Sequence, residues 1–339
     1  MKVLIASYLE PKHIAAIRNA HPEIEVMYEP ELLPIPEYVS DHDGPRPDLS
    51  AADQARWDAM LASADVSFDF DWQDPTSLPT RAPNLRWIQA TSAGIGGFMQ
   101  RTGLDQSNLV ATTAGGVHAV PLAEFALTGV LYFVKDLPRL RAQQRAHRWE
   151  RYTASQLAGR RVTVVGIGGM GANVVRIFDS VGAKVTAVGR VGGSYELPDK
   201  VRVTDISQLD SELPTTDVLI MCTALTPETE GLISAARVDA LPEHAIFVNI
   251  SRGQTVDEDA LIAALREGRL AGAALDVVRE EPLPETSALW DLDNVIISPH
   301  SAATVETENE TLTALFIENL GRFQRGQPMI NVFNADRGY

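Results

Sequence analysis

Val162-Thr163-Val164-Val165-Gly166-Ile167-Gly168-Gly169-Met170-Gly171 is the stretch from which the rest of the chain can be read. A short β-branched run enters Gly-x-Gly-x-x-Gly, and helix-spaced apolar residues follow from Ala172 to Val181. The first glycine permits a tight strand-to-helix turn, the second lets backbone approach a diphosphate, and the third lets helix pack on strand. The helix N-terminus adds N–H groups and the positive end of its dipole, both suited to an anion. Alone the pattern is weak. Between a strand and a helix it predicts a dinucleotide-binding turn built on Gly166, Gly168, Gly169, Met170 and Gly171.

Working outward, the second half of the chain shows strand patterns at 184–188, 218–222, 246–250, 272–277 and 295–298, with a helix over 258–267. That order predicts a doubly wound nucleotide-binding domain whose strands run to about Ala303. The stretch between Val188 and Val218 reads as helix-poor, with no strand assigned. Towards the N-terminus, strand patterns at 3–6, 24–27, 66–70, 85–89 and 109–112 alternate with helical patterns at 11–19 and 51–64, a second α/β unit with a mostly parallel sheet. The apolar helical stretch 120–135, with Pro121 in its first turn, should cross between the two. The helix 309–325 and the tail 328–339 should pack back on the first unit. The fold class is therefore α/β, with two doubly wound parallel-sheet domains. One is a discontinuous, flavodoxin-like domain of residues 1–118 plus 309–339; the other is a Rossmann domain of residues 119–308.

Composition bounds the partners. A chain of 339 residues, 45% hydrophobic and 22% charged, suits about two globular domains. The net charge of −16 argues against nucleic acid or an anionic membrane as partner. Any anionic ligand then needs a local cluster of arginines or backbone amides. A single cysteine, Cys222, leaves no internal disulfide and fits a reducing cytoplasm. Residues 1–7 read as a first strand, not a signal peptide, and no stretch approaches the ~20 apolar residues of a membrane span. No His, Cys and carboxylate cluster has metal-ligand spacing, so no metal is implied.

The cofactor's second phosphate has its own signal. A free ribose 2′-OH is normally held by Asp or Glu at the end of the second strand. Here that position, eighteen residues after Gly171, is Gly189, followed by Arg190. Arginine on a 2′-phosphate is a charge-assisted contact, whereas the plain reading is a solvent-facing strand-end arginine. The pair predicts NADP(H) in preference to NAD(H), which stays open as the alternative.

Three segments place polar groups just beyond strands of the second half. Phe247–Gly253 offers Arg252, Ala274–Leu283 offers Asp276 and Glu281, and Ile296–Ala303 offers His300. In open α/β sheets the ligand crevice lies off these carboxyl ends, so the three can converge. Singly, each has a plainer reading: a capping histidine, a structural ion pair, a solvated acid.

At this point the chain resembles the D-isomer-specific 2-hydroxyacid dehydrogenase family over essentially its whole length. The resemblance is carried by Leu157-Ala158-Gly159-Arg160, Leu225-Thr226-Pro227-Glu228-Thr229, Asn249-Ile250-Ser251-Arg252-Gly253, Asp276-Val277 with Glu281-Pro282-Leu283, and Ser298-Pro299-His300. It implies a hydride transfer between a nicotinamide cofactor and a 2-oxo or 2-hydroxy acid, with glyoxylate, hydroxypyruvate or a bulkier 2-oxo acid as substrate. It implies His300 as acid/base, Glu281 as its partner and Arg252 on the substrate's carboxylate and carbonyl, with amides of Ala93 and Gly94 on the carboxylate. Thr223, Ile250, Ser251, Arg252, Asp276, His300 and Ala302 would join the glycine turn, Gly189 and Arg190 around the cofactor. A homodimer is implied, with residues 120–151 as candidate interface. The chemistry agrees: histidine titrates near neutrality, a neighbouring carboxylate favours imidazolium, and arginine's planar fork suits a carboxylate beside a carbonyl that grows negative.

Departures narrow the reading. Ala224 stands where proline is frequent in the family, Gly96 where aspartate is frequent, and Glu281 where formate dehydrogenases carry glutamine. A non-catalytic, dinucleotide-sensing corepressor-like scaffold is the competing function. The loop Pro34–Pro47 reads as functional or as surface decoration, with nothing to choose between them. His13, His21, His42, His147 and His244 read as surface residues, and His118 as a candidate for the cleft.

Overall fold

Strands whose residues are apolar on both faces belong in the middle of parallel sheets, and that is where the chain puts them. The computed structural model describes Met1–Gly338. The chain forms two compact units, Met1–His118 with Thr304 onward, and Ala119–Ala303.

In the first unit five parallel strands run in the order β2-β1-β3-β4-β5: β1 (Lys2–Ile5), β2 (Glu25–Met27), β3 (Val66–Phe68), β4 (Trp87–Gln89) and β5 (Val110–Thr112). This is the flavodoxin-like order. Val3, Leu4, Ile5, Val66, Phe68 and Trp87 are fully buried. The helix Pro11–Ala20 starts on proline and turns Ile14 and Ile17 inward. The helix Ala51–Ser63 is capped by Ser50, whose side chain accepts from Asp53 N–H, and it buries Trp57 and Leu61. The helix Glu308–Gln324 lies in this unit, with Phe316 edge-on to Phe68 at 5.3 Å and 5.4 Å from Trp87.

In the second unit seven parallel strands run in the order β12-β11-β10-β9-β6-β7-β8: β6 (Arg161–Val165), β7 (Lys184–Gly189), β8 (Arg202–Asp205), β9 (Val218–Met221), β10 (Ile246–Asn249), β11 (Gly272–Leu275) and β12 (Val295–Ile297). This is the doubly wound Rossmann order, and its switch point lies between β6 and β9. The helix Ala119–Val134 packs close on the sheet: a Cβ on Gly129 would collide with Ala274, and one on Gly272 with Phe133.

Two elements depart from the sequence reading. β8 forms in the stretch read only as helix-poor, pairing Thr186 with Arg202 and Gly189 with Asp205. As an edge strand with Arg202 and Val203 exposed it has no apolar alternation to give it away. Residues 137–145, given no element by the sequence reading, form a helix, Leu137–Arg145, capped by the Asp136 side chain on Arg139 N–H.

The loop Pro34–Pro47 is internally organised. The buried Asp41 carboxylate accepts from Glu37 N–H at 2.9 Å and Asp43 N–H at 3.0 Å, and Ser40 Oγ donates to the Val305 carbonyl. His42 is drawn in with it: its Nδ1 lies 2.7 Å from Ser7 Oγ, and its Nε2 is buried without a partner among the described residues. The reading of His42 as a surface residue is therefore corrected. So is that of His13, which sits on the inner face of the first helix beside Ile14 and Ile17. His21 is also largely covered, its Nε2 3.1 Å from the Ile317 carbonyl. His147 and His244 are exposed.

Candidate active site

The glycine turn joins β6 to the helix Gly169–Ser180. Gly166 has φ +98°, a conformation that excludes most side chains, and a Cβ there would also strike the backbone of Cys222 and Thr223. A Cβ on Gly171 would strike the carbonyl of Gly166. Gly168 differs: it is exposed, it caps the helix without a side-chain bond, and its missing Cβ faces open space. Two glycines thus serve packing, and the third bares the N–H groups of a twelve-residue helix. Across the turn, Thr223 Oγ1 is buried and has no hydrogen-bond partner among the described residues. An orphaned hydroxyl beside a bared helix start fits a diphosphate. Burial pushes the neighbouring Cys222 thiol well up, so it stays protonated.

β7 ends on Gly189, Arg190 follows it, and Arg190 N–H donates to the Tyr195 hydroxyl at 2.8 Å. A carboxylate does stand beside Gly189, on β8: Asp205. Its Oδ1 is taken by Ser207, from N–H at 2.9 Å and Oγ at 2.5 Å.

Beyond β10 the chain is tied by Asn249, which is fully buried. Its Oδ1 accepts from Ser251 N–H at 3.0 Å and Ser251 Oγ at 2.7 Å, and its Nδ2 donates to the Arg252 carbonyl at 3.1 Å. Thr255 Oγ1 donates to the same carbonyl at 2.7 Å. A Cβ on Gly253 would strike the Val278 carbonyl, so the turn lies flush on the next connection. Ile250 and Ser251 are buried, and the Arg252 Nη1 donates to the Ser251 carbonyl at 2.7 Å. Burial lowers the Arg252 pKa, and the charges of Glu281 and Asp276 work against that shift.

Beyond β11, Asp276 is buried and holds the connection after β12. Its Oδ1 accepts from Ser298 Oγ at 2.7 Å and Ala302 N–H at 2.9 Å, and its carbonyl accepts from His300 N–H at 2.9 Å. His300 is thereby held at φ +55°, a left-handed backbone uncommon for histidine, of the kind found where surroundings over-determine a position. Its Nδ1 lies 2.7 Å from Glu281 Oε2, while Glu281 Oε1 accepts from Val278 N–H at 3.1 Å. Burial alone would raise the Glu281 pKa. The bonds from His300 and Val278, with the charges of His300 and Arg252, outweigh it and hold the carboxyl below its usual range. With Nδ1 engaged, the imidazole presents Nε2 to a reactant.

The second unit therefore brings Arg252, Asp276, Glu281, His300 and Ala302 together. In the first unit, Ala93 and Gly94 are exposed on the loop after β4, with Ile95 buried beneath and a short helix, Gly96–Thr102, beginning inside the small-residue run. His118 is engaged by Glu308, Nε2 to Oε1 at 3.0 Å. Asn249 and Ser298 carry the bracing without having been singled out. A buried Asn at a strand end, two residues before a Ser, was the available signal. Among the described residues no His, Cys, Asp and Glu group is arranged to hold a metal ion, and no helix is long and apolar enough to cross a membrane.

Comparison with known proteins agrees with this architecture. The sequence model described as "D-isomer specific 2-hydroxyacid dehydrogenase, NAD binding domain" matches residues 127–302. A glyoxylate/hydroxypyruvate reductase A of Klebsiella pneumoniae is 33% identical over 221 residues, 64% of this chain and 69% of that protein. A D-isomer-specific 2-hydroxyacid dehydrogenase of Xanthobacter autotrophicus, solved with NADPH and MES, superposes with a TM-score of 0.80 at 29% identity, covering 100% of this chain and 99% of that one. An NADPH-dependent glyoxylate/hydroxypyruvate reductase of Sinorhizobium meliloti, solved with NADP and sulfate, gives 0.79 at 25% identity, with 100% and 99% covered. The chain belongs to the D-isomer-specific 2-hydroxyacid dehydrogenase family, the NAD(P)-dependent oxidoreductases of 2-hydroxy acids.

Proposed function

We propose that this protein is an NADPH-dependent reductase of small 2-oxo acids, with glyoxylate and hydroxypyruvate as the first candidates. The observation that carries the reading is the Glu281–His300 pair, 2.7 Å apart, with Arg252 inside the same electrostatic neighbourhood. The nicotinamide cofactor, when bound, supplies the hydride. His300 Nε2 donates the proton to the substrate's carbonyl oxygen, and Glu281, on Nδ1, keeps the imidazole oriented. Arg252 binds the substrate carboxylate and stabilises charge growing on the carbonyl oxygen. Ala93 and Gly94 offer amides to that carboxylate. Gly166–Gly171, Thr223, Ile250, Ser251, Asp276 and Ala302 line the cofactor.

Preference for the 2′-phosphorylated cofactor is supported by Gly189, by Arg190 beside it, and by the engagement of Asp205 Oδ1 with Ser207. The two solved relatives named above were crystallised with NADPH and NADP. A sensing scaffold needs no acid/base pair, so the pair favours a reductase over a corepressor. We further propose a cytoplasmic homodimer joined through the region 120–151, where Val120, Leu137 and Leu140 are exposed and Trp149 is 97% exposed.

The test is a survey of 2-oxo acids from glyoxylate to phenylpyruvate with NADPH and with NADH. Turnover abolished in His300→Ala and Arg252→Ala is the expected result. Wild-type rates in His300→Ala would refute the mechanism, and equal kcat/KM with the two cofactors would refute the preference. Sedimentation at micromolar concentration decides the dimer.

A further inference from the structure

The loop that follows β7 is shaped around one side chain. Gly189 ends the strand, Gly193 N–H closes a turn onto the Arg190 carbonyl at 3.0 Å, and Gly192 sits at φ +69°. The Tyr195 ring folds back against this loop. A Cβ on Gly189 or on Gly193 would run into its hydroxyl end, and Arg190 N–H donates to its oxygen at 2.8 Å. The phenol oxygen is therefore wrapped by residues 189–193, with glycine at 189 and 193 because the ring leaves no room for a side chain there.

This has two chemical consequences. An acid at 189, the usual partner of a ribose 2′-OH, cannot be accommodated while the ring is in place. The phenol oxygen serves as acceptor to Arg190, and its own O–H is given to no acceptor among the described residues. A donor and an arginine next to each other at the end of the second strand suit a phosphomonoester dianion.

We propose that Tyr195 is a positioning and specificity residue for the 2′-phosphate of the cofactor. It holds the loop in one shape, sets the backbone from which Arg190 extends, blocks an acid at 189 and contributes its O–H to a phosphate oxygen. The proposal rests on the reading of the cofactor as NADPH.

Calorimetric titration with 2′,5′-ADP and 5′-ADP tests it without turnover. The wild type should bind 2′,5′-ADP more tightly. Tyr195→Phe keeps the ring and should lose about tenfold on 2′,5′-ADP, the scale of one hydrogen bond, with 5′-ADP unchanged. In steady state it should raise KM for NADPH with kcat intact. Gly189→Asp alone should weaken both ligands, whereas Gly189→Asp with Tyr195→Ala should bind 5′-ADP at least as well as 2′,5′-ADP. If Tyr195→Phe weakens both ligands alike, or neither, the proposal is overturned while the cofactor reading stands. If the wild type itself does not distinguish the two ligands, the cofactor reading fails first and the proposal with it.

Discussion

Replacing Asn249 by alanine probes how Arg252 is held. The side chain makes three bonds, two accepted from Ser251 and one donated to the Arg252 carbonyl. After truncation the carbonyl keeps Thr255 Oγ1 at 2.7 Å, and Ser251 Oγ keeps Thr255 at 3.3 Å. Ser251 N–H keeps nothing in the same place, and a buried donor left unpaired costs about 1–3 kcal/mol. With the other two bonds and a small void, the total loss is about 3–5 kcal/mol. For a unit of this size that lowers Tm by roughly 6–20 °C, measurable by calorimetry. The functional consequence is separate. Arg252 begins from a turn that has lost a tie, and a displacement of about 1 Å can cost on the order of 100-fold in rate. Steady-state kinetics should therefore show kcat/KM for the 2-oxo acid down by on the order of 100-fold. The dissociation constant of NADPH, read by fluorescence, should move far less. A protein that melts early yet keeps kcat/KM within about twofold would show that Asn249 supports the fold without placing the arginine, and the reasoning would be wrong.

The glycine turn and the acid pair give further expectations. Gly168→Ala should leave Tm within about a degree, since its Cβ meets open space, while weakening NADPH by tenfold or so through lost backbone approach. Gly166→Ala should destabilise the unit outright, because φ +98° and the Cys222 backbone both oppose a side chain; equal melting of the two variants would contradict this. Glu281 has a depressed folded pKa, so its stabilising effect is present above the unfolded carboxylate value, about 4.3, and is lost as pH falls through the folded one. The Tm difference between wild type and Glu281→Gln should hold steady above about pH 5 and shrink below about pH 4; a gap that widened on acidification would reverse the assigned sign.

What could be read from sequence depended on whether the physics was local. Val162–Val165 and Ile246–Ile250 are apolar on both faces, so central strands announce themselves within a residue or two. β8 does not, because an edge strand made of Arg202-Val203-Thr204-Asp205 needs only its neighbour's hydrogen bonds. The order of Arg252, Glu281 and His300 along the chain was visible through family motifs. Their bracing was not: Asp276 reaches Ser298 and Ala302 over more than twenty residues, and nothing periodic marks such a bond. His42 failed for the same reason, since only the folded loop brings it to Ser7.

The order of strands in the second unit separates two kinds of change. Arg252, Asp276 and His300 leave from β10, β11 and β12, on one side of the switch point, while Arg190 and Tyr195 follow β7 on the other. From β10 to β7 there are three strand spacings, about 14 Å at roughly 4.8 Å each. At that distance substitutions with no shared partner act independently. Effects of Tyr195 and Asn249 variants on kcat/KM should multiply, and an NADH-using form should be reachable through β7 and β8 alone. The sheet thus keeps the two proposed tasks apart, the ribose end of the cofactor beyond β7 and the proton and carboxylate chemistry beyond β10, β11 and β12.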